Sequence, residues 1–287
     1  MINIYFQRRP DMQGCHVFDD LARAGELLGD QVIVGDRWRP HMDANVCVDT
    51  GHVLPPPPEE RERSYFWCLH CHTQYHQAFA RNFERSFGAD LRYVELGLFD
   101  EWLPNGVGTS AIHLSTDKQV VDVGFVGQFL GHRIGAIDYL RRECDRQGWS
   151  HHLVDSHAGR SGDEGTMARP SWMTATDFAN SMAWCKVWFN ATTEPNNALL
   201  NNRIFEGMAA GRAVLTDDMH GSRLLAPSGT GVVYYDWKNL SSMQAGLDYL
   251  MMGENWKSVG LAGHQAVQKH TIEARLRKLL KSIGRRV

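Results

Sequence analysis

The sequence predicts an α/β fold built on parallel sheets, and three observations carry that expectation. Residues 2–34 read strand, loop, helix, strand: Ile2 to Phe6 is an apolar run, a polar loop continues through Gly14, Val17 to Leu28 has helical periodicity, and Val32 to Val34 is apolar again. The run from Leu199 to Asp217 reads as a helix that opens on polar residues and stops at Gly211, a residue suited to a left-handed helix end. It passes straight into a short buried strand, Ala213 to Leu215. Finally, Val121 to Gly127 is an alternating strand that ends on a glycine and leads into a helix reaching about Gln147.

Taken in order, Val46 to Val48 is a third strand of the first half, followed by Pro55 to Pro58 and the charged run Glu59 to Arg63. Four prolines supply no ladder donors and favour an extended surface loop. Tyr65 to His72 is an aromatic strand. Its Cys68-x-x-Cys71-His72 spacing matches a haem attachment motif without the export signal that chemistry accompanies, and a zinc site without a second Cys/His pair, so the cysteines read as small apolar residues. A helix is expected from Thr73 to Phe87, with Tyr75, Phe79, Phe83 and Phe87 as a core-facing stripe, then a strand at Leu91 to Val94. Residues 105–119 have the composition of an interdomain linker. The second half continues with a strand at Leu153–Val154, a flexible loop over 155–170, a helix from Thr174 to Trp184 and a strand at Val187 to Asn190. A strand from Val232 to Tyr235 and helices over 240–251, 256–269 and the last residues complete it.

Length and charge narrow the classes. The 287 residues suffice for one large domain or two of ordinary size. A net charge of −3 makes no demand for nucleic acid or an anionic membrane and leaves a local basic groove open. Six irregularly spaced cysteines and no signal-peptide pattern point to a reducing cytoplasm. No apolar run reaches the roughly 18 residues of a membrane-spanning helix.

The candidate chemistry sits on helix starts and strand ends. Asn202, Arg203 and Glu206 lie three and four apart, so an amide, a guanidinium and a carboxylate share one helical face, a phosphate clamp beside a hydroxyl acceptor. Gly127, with Gln128 after it, lets backbone approach a ligand, and the helix that follows offers free N–H groups to phosphate oxygens. Asn197, in the loop before the key helix, suits either a sugar or phosphate contact or a plain turn. In the first half, Gln13, Gly14 and His16 occupy the first strand-to-helix loop, at the edge where ligands of doubly wound sheets collect, or serve as a connector only.

The run Arg203-x-Phe205-Glu206-x-x-Ala209-x-Gly211 resembles the donor-binding segment of GT-B glycosyltransferases, and in particular the branch of CgeB-type, spore-maturation-protein-like members. Phe125-x-Gly127 followed by Arg133, the Leu103-Pro104 segment, Tyr235-Asp236 and the closing His270-Thr271-x-x-x-Arg275 are similar to the same family. A second glutamate found eight positions before Glu206 in many relatives is Ala198 here. The resemblance implies two Rossmann-like doubly wound domains facing across a cleft: residues 1–118 on the acceptor side, 119–269 binding the nucleotide sugar, and 270–287 a helix crossing back to the first domain. It implies that Glu206 accepts hydrogen bonds from the ribose and that Arg133 and Arg203 hold the diphosphate without a metal. Gly127, Gln128, Asn197 and Asn202 complete the donor set, with Gln13 and Gly14 on the acceptor side. An inverting transfer also needs a general base, for which His72, His16 and Asp49 are the candidates.

The expected function is transfer of a sugar from a nucleotide diphosphate donor, a UDP-sugar, to a hydroxyl of a cytoplasmic acceptor, which could be a protein, a glycan precursor or a modified DNA base. The nucleotide sugar is a co-substrate and no cofactor is expected. Alternatives are a DNA base glycosyltransferase acting on hydroxymethylated pyrimidine, a nucleotide-binding protein that transfers nothing, and a partner protein using the proline run.

Overall fold

Short apolar runs joined by helical crossovers form parallel strands when helices cover both faces of the sheet, and both sheets of this chain are of that kind. A computed structural model describes residues 3–7, 16–35, 39–49, 55–69, 73–109, 112, 119–127, 129–155, 182–192 and 202–284. The chain divides into two units, Met1–Ser110 with Asn197–Asn202 and Lys269–Val287, and Ala111–Asn196 with Arg203–Gln268.

Among the described residues, the first unit has six strands, β1 (Asn3–Gln7), β2 (Gln31–Gly35), β3 (Ala44–Asp49), β4 (Ser64–Cys68), β5 (Arg85–Gly88) and β6 (Glu101–Trp102). They lie in the order β2-β1-β3-β4-β5-β6, with every pair parallel. Alternation sends Ile4, Phe6, Val46, Val48 and Trp67 to one face, where α1 (His16–Leu28) contributes Phe18, Leu21 and Ala24. The same core is closed by the terminal helix Ile272–Ser282. Its Ile272, Leu276, Leu279 and Leu280 recur at intervals of four, three and one, and all are buried there. Thr271 starts that helix by accepting a hydrogen bond from the Ala274 N–H at 3.0 Å. Arg275, buried on the helix, donates to the Asn105 carbonyl at 3.1 Å, and burial lowers its pKa to about 10.

The opposite face carries an aromatic cluster, and it corrects the expected helix from Thr73 to Phe87. Helix α2 ends at Ala80 (Thr73–Ala80) because both the backbone N–H and the side-chain amide of Asn82 donate to the Phe79 carbonyl at 3.0 Å, occupying the acceptor a continuing helix would use. Phe87 belongs to β5 instead. Phe79 and Phe83 still meet over Phe66, at ring-centroid distances of 5.2 Å each, so the spacing of four reports burial in one cluster rather than one helix. The expected strand at Leu91 to Val94 is a short helix, α3 (Leu91–Glu95), nucleated by the Asp90 carboxylate accepting from the Arg92 N–H at 2.9 Å. The proline run leads into a 3-10 helix, Pro58–Arg63, with Pro56 and Glu60 buried rather than in an open surface loop.

The second unit holds β7 (Val121–Gly127), β8 (His151–Asp155), β9 (Cys185–Asn190), β10 (Ala213–Asp217) and β11 (Val232–Tyr235), ordered β11-β10-β9-β7-β8 and parallel. Its helices are α4 (His132–Gln147), α5 (Asn202–Ala209, whose first residue groups with the other unit), α6 (Ser222–Leu225), α7 (Ser241–Met251) and α8 (Asn255–Ala266). Of the helix expected over 174–184, residues 174–181 lie outside the described residues. The stop at Gly211 is as expected: it has φ +69°, and the N–H groups of Gly211 and Arg212 return to the carbonyls of Met208 and Gly207 at 3.0 and 2.9 Å. The chain builds outward from β7 to β8, then returns to the other side of β7 with β9. The crevice of this sheet therefore opens at the carboxyl ends of β7 and β9.

Helix α8 lies against the backbone of this unit through glycines. A Cβ on Gly260 would stand 2.3 Å from the Gly211 carbonyl oxygen, and one on Gly263 would stand 2.5 Å from the Cα of Gly231. Gly260→Ala is expected to destabilise the protein by about 1–3 kcal/mol, since backbone must shift to admit the methyl. Gly135→Ala, at an open position in α4 with nothing within 4 Å, should instead stabilise by about 0.4–1 kcal/mol. Thermal unfolding of the two variants beside the parent checks both signs.

Candidate functional site

Four parallel strands end side by side in the second unit, and alternation points Gly127, Ala191, Asp217 and Tyr235 from β7, β9, β10 and β11 to one face of that edge. Helix α4 follows β7 and packs on this face. Its second residue, Arg133, is only 5% exposed: the guanidinium lies 5.7 Å over the Phe125 ring, and Nε donates to the Ala191 carbonyl at 2.7 Å. That bond spans the switch point, tying the start of α4 to the end of β9.

A second guanidinium comes from α5. A Cβ on Gly127 would lie 3.1 Å from Arg203 Nη2, so the bare glycine lets Arg203 rest against the end of β7. The two arginines act on one another. Burial, and then the Arg203 charge, lower the Arg133 pKa to about 10, against the opposing pull of Asp217 and Tyr235. Burial also lowers the Arg203 pKa, with Glu206, three residues along α5, pulling the other way. The two like charges lie in a largely buried position beside the positive end of a 16-residue helix, whose Arg133 and Ile134 N–H groups donate to the Leu130 and Gly131 carbonyls at 3.2 and 3.3 Å.

The rear of the site is a buried polar layer. Asp217, 1% exposed, accepts from the Thr192 N–H at 2.9 Å and from the Thr192 hydroxyl on Oδ2, and from the Thr216 hydroxyl at 3.0 Å on Oδ1. Burial raises its pKa, with the Thr192 and Thr216 bonds pulling the other way. Asn190 Nδ2 donates to the Thr216 hydroxyl at 2.9 Å. Tyr235 stacks on Phe189 at 5.9 Å, and its buried hydroxyl has no hydrogen-bond partner. Burial, then Asp217, push the phenol well above its ordinary range, while Arg133 pulls it back.

The structure thus brings Gly127, Arg133, Arg203 and Glu206 together, and places Asn202 at the first position of α5 with its Oδ1 buried and without a partner. Gln128, Asn197, Gln13, Gly14 and His72 lie outside the described residues. For His16 and Asp49 the backbone alone is described, His16 opening α1 and Asp49 ending β3. Asp217, Thr192 and the Tyr235 hydroxyl were not among the expected site residues. A carboxylate closing the apolar strand Ala213–Asp217 was the one sequence signal available for them, since such a charge needs buried partners.

One family, described as glycosyl transferase-like, matches residues 129–281, more than half of the chain. Comparison with curated protein sequences gives no match. Among solved structures, a glycosyltransferase from Rickettsia africae aligns with a TM-score of 0.64 at 10% identity, covering 98% of this chain and 97% of that one. A sucrose-phosphate synthase from Thermosynechococcus elongatus aligns at 0.62 with 8% identity over 99% of each chain. Anabaena Alr3699/HepE, solved with UDP and glucose, aligns at 0.60 with 11% identity, covering 99% of this chain and 100% of that one. At such identities the likeness concerns the fold, two parallel-sheet α/β domains of the GT-B kind.

If the arginine pair is an anion site, Gly127→Ala should impair it without unfolding the chain. The new methyl meets the end of a flexible side chain at 3.1 Å and the Phe125 ring at 3.0 Å, so Arg203 must shift by a few tenths of an ångström off the end of β7. The parent should gain thermal stability in inorganic pyrophosphate, and the variant should keep its own midpoint within a few degrees while losing most of that gain.

Proposed function

The chain belongs to the glycosyl transferase-like family, and from that premise we propose that it moves a sugar from a nucleotide diphosphate donor, a UDP-sugar, to the hydroxyl of a cytoplasmic acceptor. The observation that carries the reading is the pair of crowded guanidinium groups, Arg133 and Arg203, at the switch point of the second sheet, with Glu206 one helical turn further on. The UDP and glucose bound by the Anabaena neighbour support the choice of donor. The Arg203-x-Phe205-Glu206 run supports membership of the CgeB-type branch.

In this reaction the bond between the sugar C1 and the diphosphate oxygen breaks, and the diphosphate leaves with the electron pair. The acceptor oxygen bonds to C1, and its proton passes to a base or to the departing phosphate. Charge develops on the diphosphate, where Arg133, Arg203 and the positive end of the α4 dipole stabilise it. Glu206 is assigned the ribose hydroxyls, and Asn197, Asn202, Gly127 and Gln128 the rest of the donor. The donor is assigned to residues 119–269 and the acceptor to residues 1–118, with Gln13 and Gly14 on the acceptor side and 270–287 returning to that domain. His16, His72 and Asp49 are the candidates for the base of an inverting reaction, Asp49 from the carboxyl end of β3. No helix among the described residues is long and apolar enough to cross a membrane.

The test is thermal stabilisation by a panel of nucleotides and nucleotide sugars. At about 100 times its dissociation constant the donor should stabilise the protein by about 2.7 kcal/mol, raising the midpoint by on the order of 5–10 °C. Glu206→Ala should lose most of that shift for the nucleotide sugar. Sugar release and transfer with the selected donor should persist in a chelator. A protein that no nucleotide stabilises is not a nucleotide-sugar transferase.

A further inference from the structure

Arg133 is almost enclosed, so what surrounds it from behind decides where its remaining N–H groups point. Two buried groups do so: the Asp217 carboxylate and the Tyr235 phenol both act electrostatically on the guanidinium. Asp217 is the more connected of the two. In the β9–β10 register Thr216 pairs with Asn190, which sets Asp217 beside Ala191, the residue whose carbonyl receives the Arg133 Nε–H. One oxygen of the same carboxylate receives both donors of Thr192, at the root of the chain segment that leads from β9 to α5, and the other receives the Thr216 hydroxyl. Arg203 and Glu206 lie on that helix.

We propose that Asp217 is a positioning residue of the donor site, holding the Arg133 guanidinium and the root of the β9–α5 connection in one geometry for the diphosphate. At 1% exposure it touches no ligand itself. It acts through two groups: on Arg133 through its charge, and on the segment after β9 through the paired bonds to Thr192. This inference rests on the nucleotide diphosphate reading of the site given above.

The sign of one substitution separates positioning from charge alone. Asp217→Asn keeps the size of the side chain, removes a negative charge next to an anion site, and, with its one oxygen facing Thr192, puts an amide donor against the Thr216 hydroxyl, which already accepts from Asn190 Nδ2. Were Asp217 only a charge near the arginines, its removal would tighten anion binding. As a positioning residue its removal loosens binding, and only for the part of the ligand that carries phosphate. Asp217→Asn and the parent are titrated with UDP and with uridine, or with whichever nucleoside diphosphate and nucleoside the panel selects. The expected result is a loss of at least tenfold in affinity for the diphosphate, with the nucleoside bound as before. Thr192→Val, which removes the hydroxyl donor but keeps the charge and the backbone N–H, should lose two- to fivefold on the diphosphate alone, and it carries the test if Asp217→Asn does not fold.

A folded Asp217→Asn that binds the diphosphate as well as or better than the parent overturns the proposal while leaving the transferase reading intact. Equal losses on diphosphate and nucleoside overturn it too, since they mark a general structural role. A parent that binds no nucleoside diphosphate removes both readings together.

Discussion

Everything in the second unit converges on the cost of keeping two guanidinium groups close together and largely out of water. Desolvation disfavours each charge and their mutual repulsion adds to it, so neither would persist there without compensation built around them. The compensation is distributed. Phe125 offers an aromatic face, the Ala191 carbonyl an acceptor, Asp217 and Glu206 opposite charge, and Gly127 the room to stand. None of these would be chosen for stability alone. Their presence at the point where the strand order reverses is what separates this edge from the ordinary end of a sheet.

The first unit is built to different requirements. Its sheet is packed by an apolar helix on one face and an aromatic cluster on the other, and its last component is the helix Ile272–Ser282. The residues that join that helix to the sheet are polar as well as apolar. The Val107 N–H donates to the His270 carbonyl and the Val107 carbonyl accepts from the Ile272 N–H, and Arg275 donates to the Asn105 carbonyl. The resemblance to the closing His-Thr-x-x-x-Arg segment of the family thus acquires a physical basis: Thr271 caps the helix, and His270 and Arg275 face one another at 2.9 Å.

Much of the fold was legible in the sequence, and the failures are local. A strand end marked by glycine and a helix start marked by polar residues drew attention to Gly127, Arg203 and Glu206, because backbone conformation and charge placement are local properties, while Arg133 came from the family resemblance; the structure sets these four near one another. The stretch after Thr73 misled because phenylalanines at a spacing of four read as one helical stripe, whereas Phe79 and Phe83 enter the cluster around Phe66 and Phe87, on β5, enters the core on the other face of the sheet. Asn82 and Asp90, which end one helix and begin another, were the residues that decided it. Asp217, Thr192 and the Tyr235 hydroxyl were out of reach for a different reason: strand register brings them together from positions 18 and 25 apart and leaves no periodic trace.

The closure of the first core by Ile272, Leu276, Leu279 and Leu280 also fixes an order of events during synthesis. Residues 1–110 emerge from the ribosome first, yet one wall of their core is encoded after the whole of the second unit. The segment 111–268 has most of its own core in hand while the earlier segment still presents an uncovered apolar face along β1, β3 and β4. Domains usually mature in the order they are translated. In this chain the domain that starts first finishes last, and its exposed sheet must wait through roughly 160 residues of elongation, about 8–30 s at ordinary rates, for the helix that covers it.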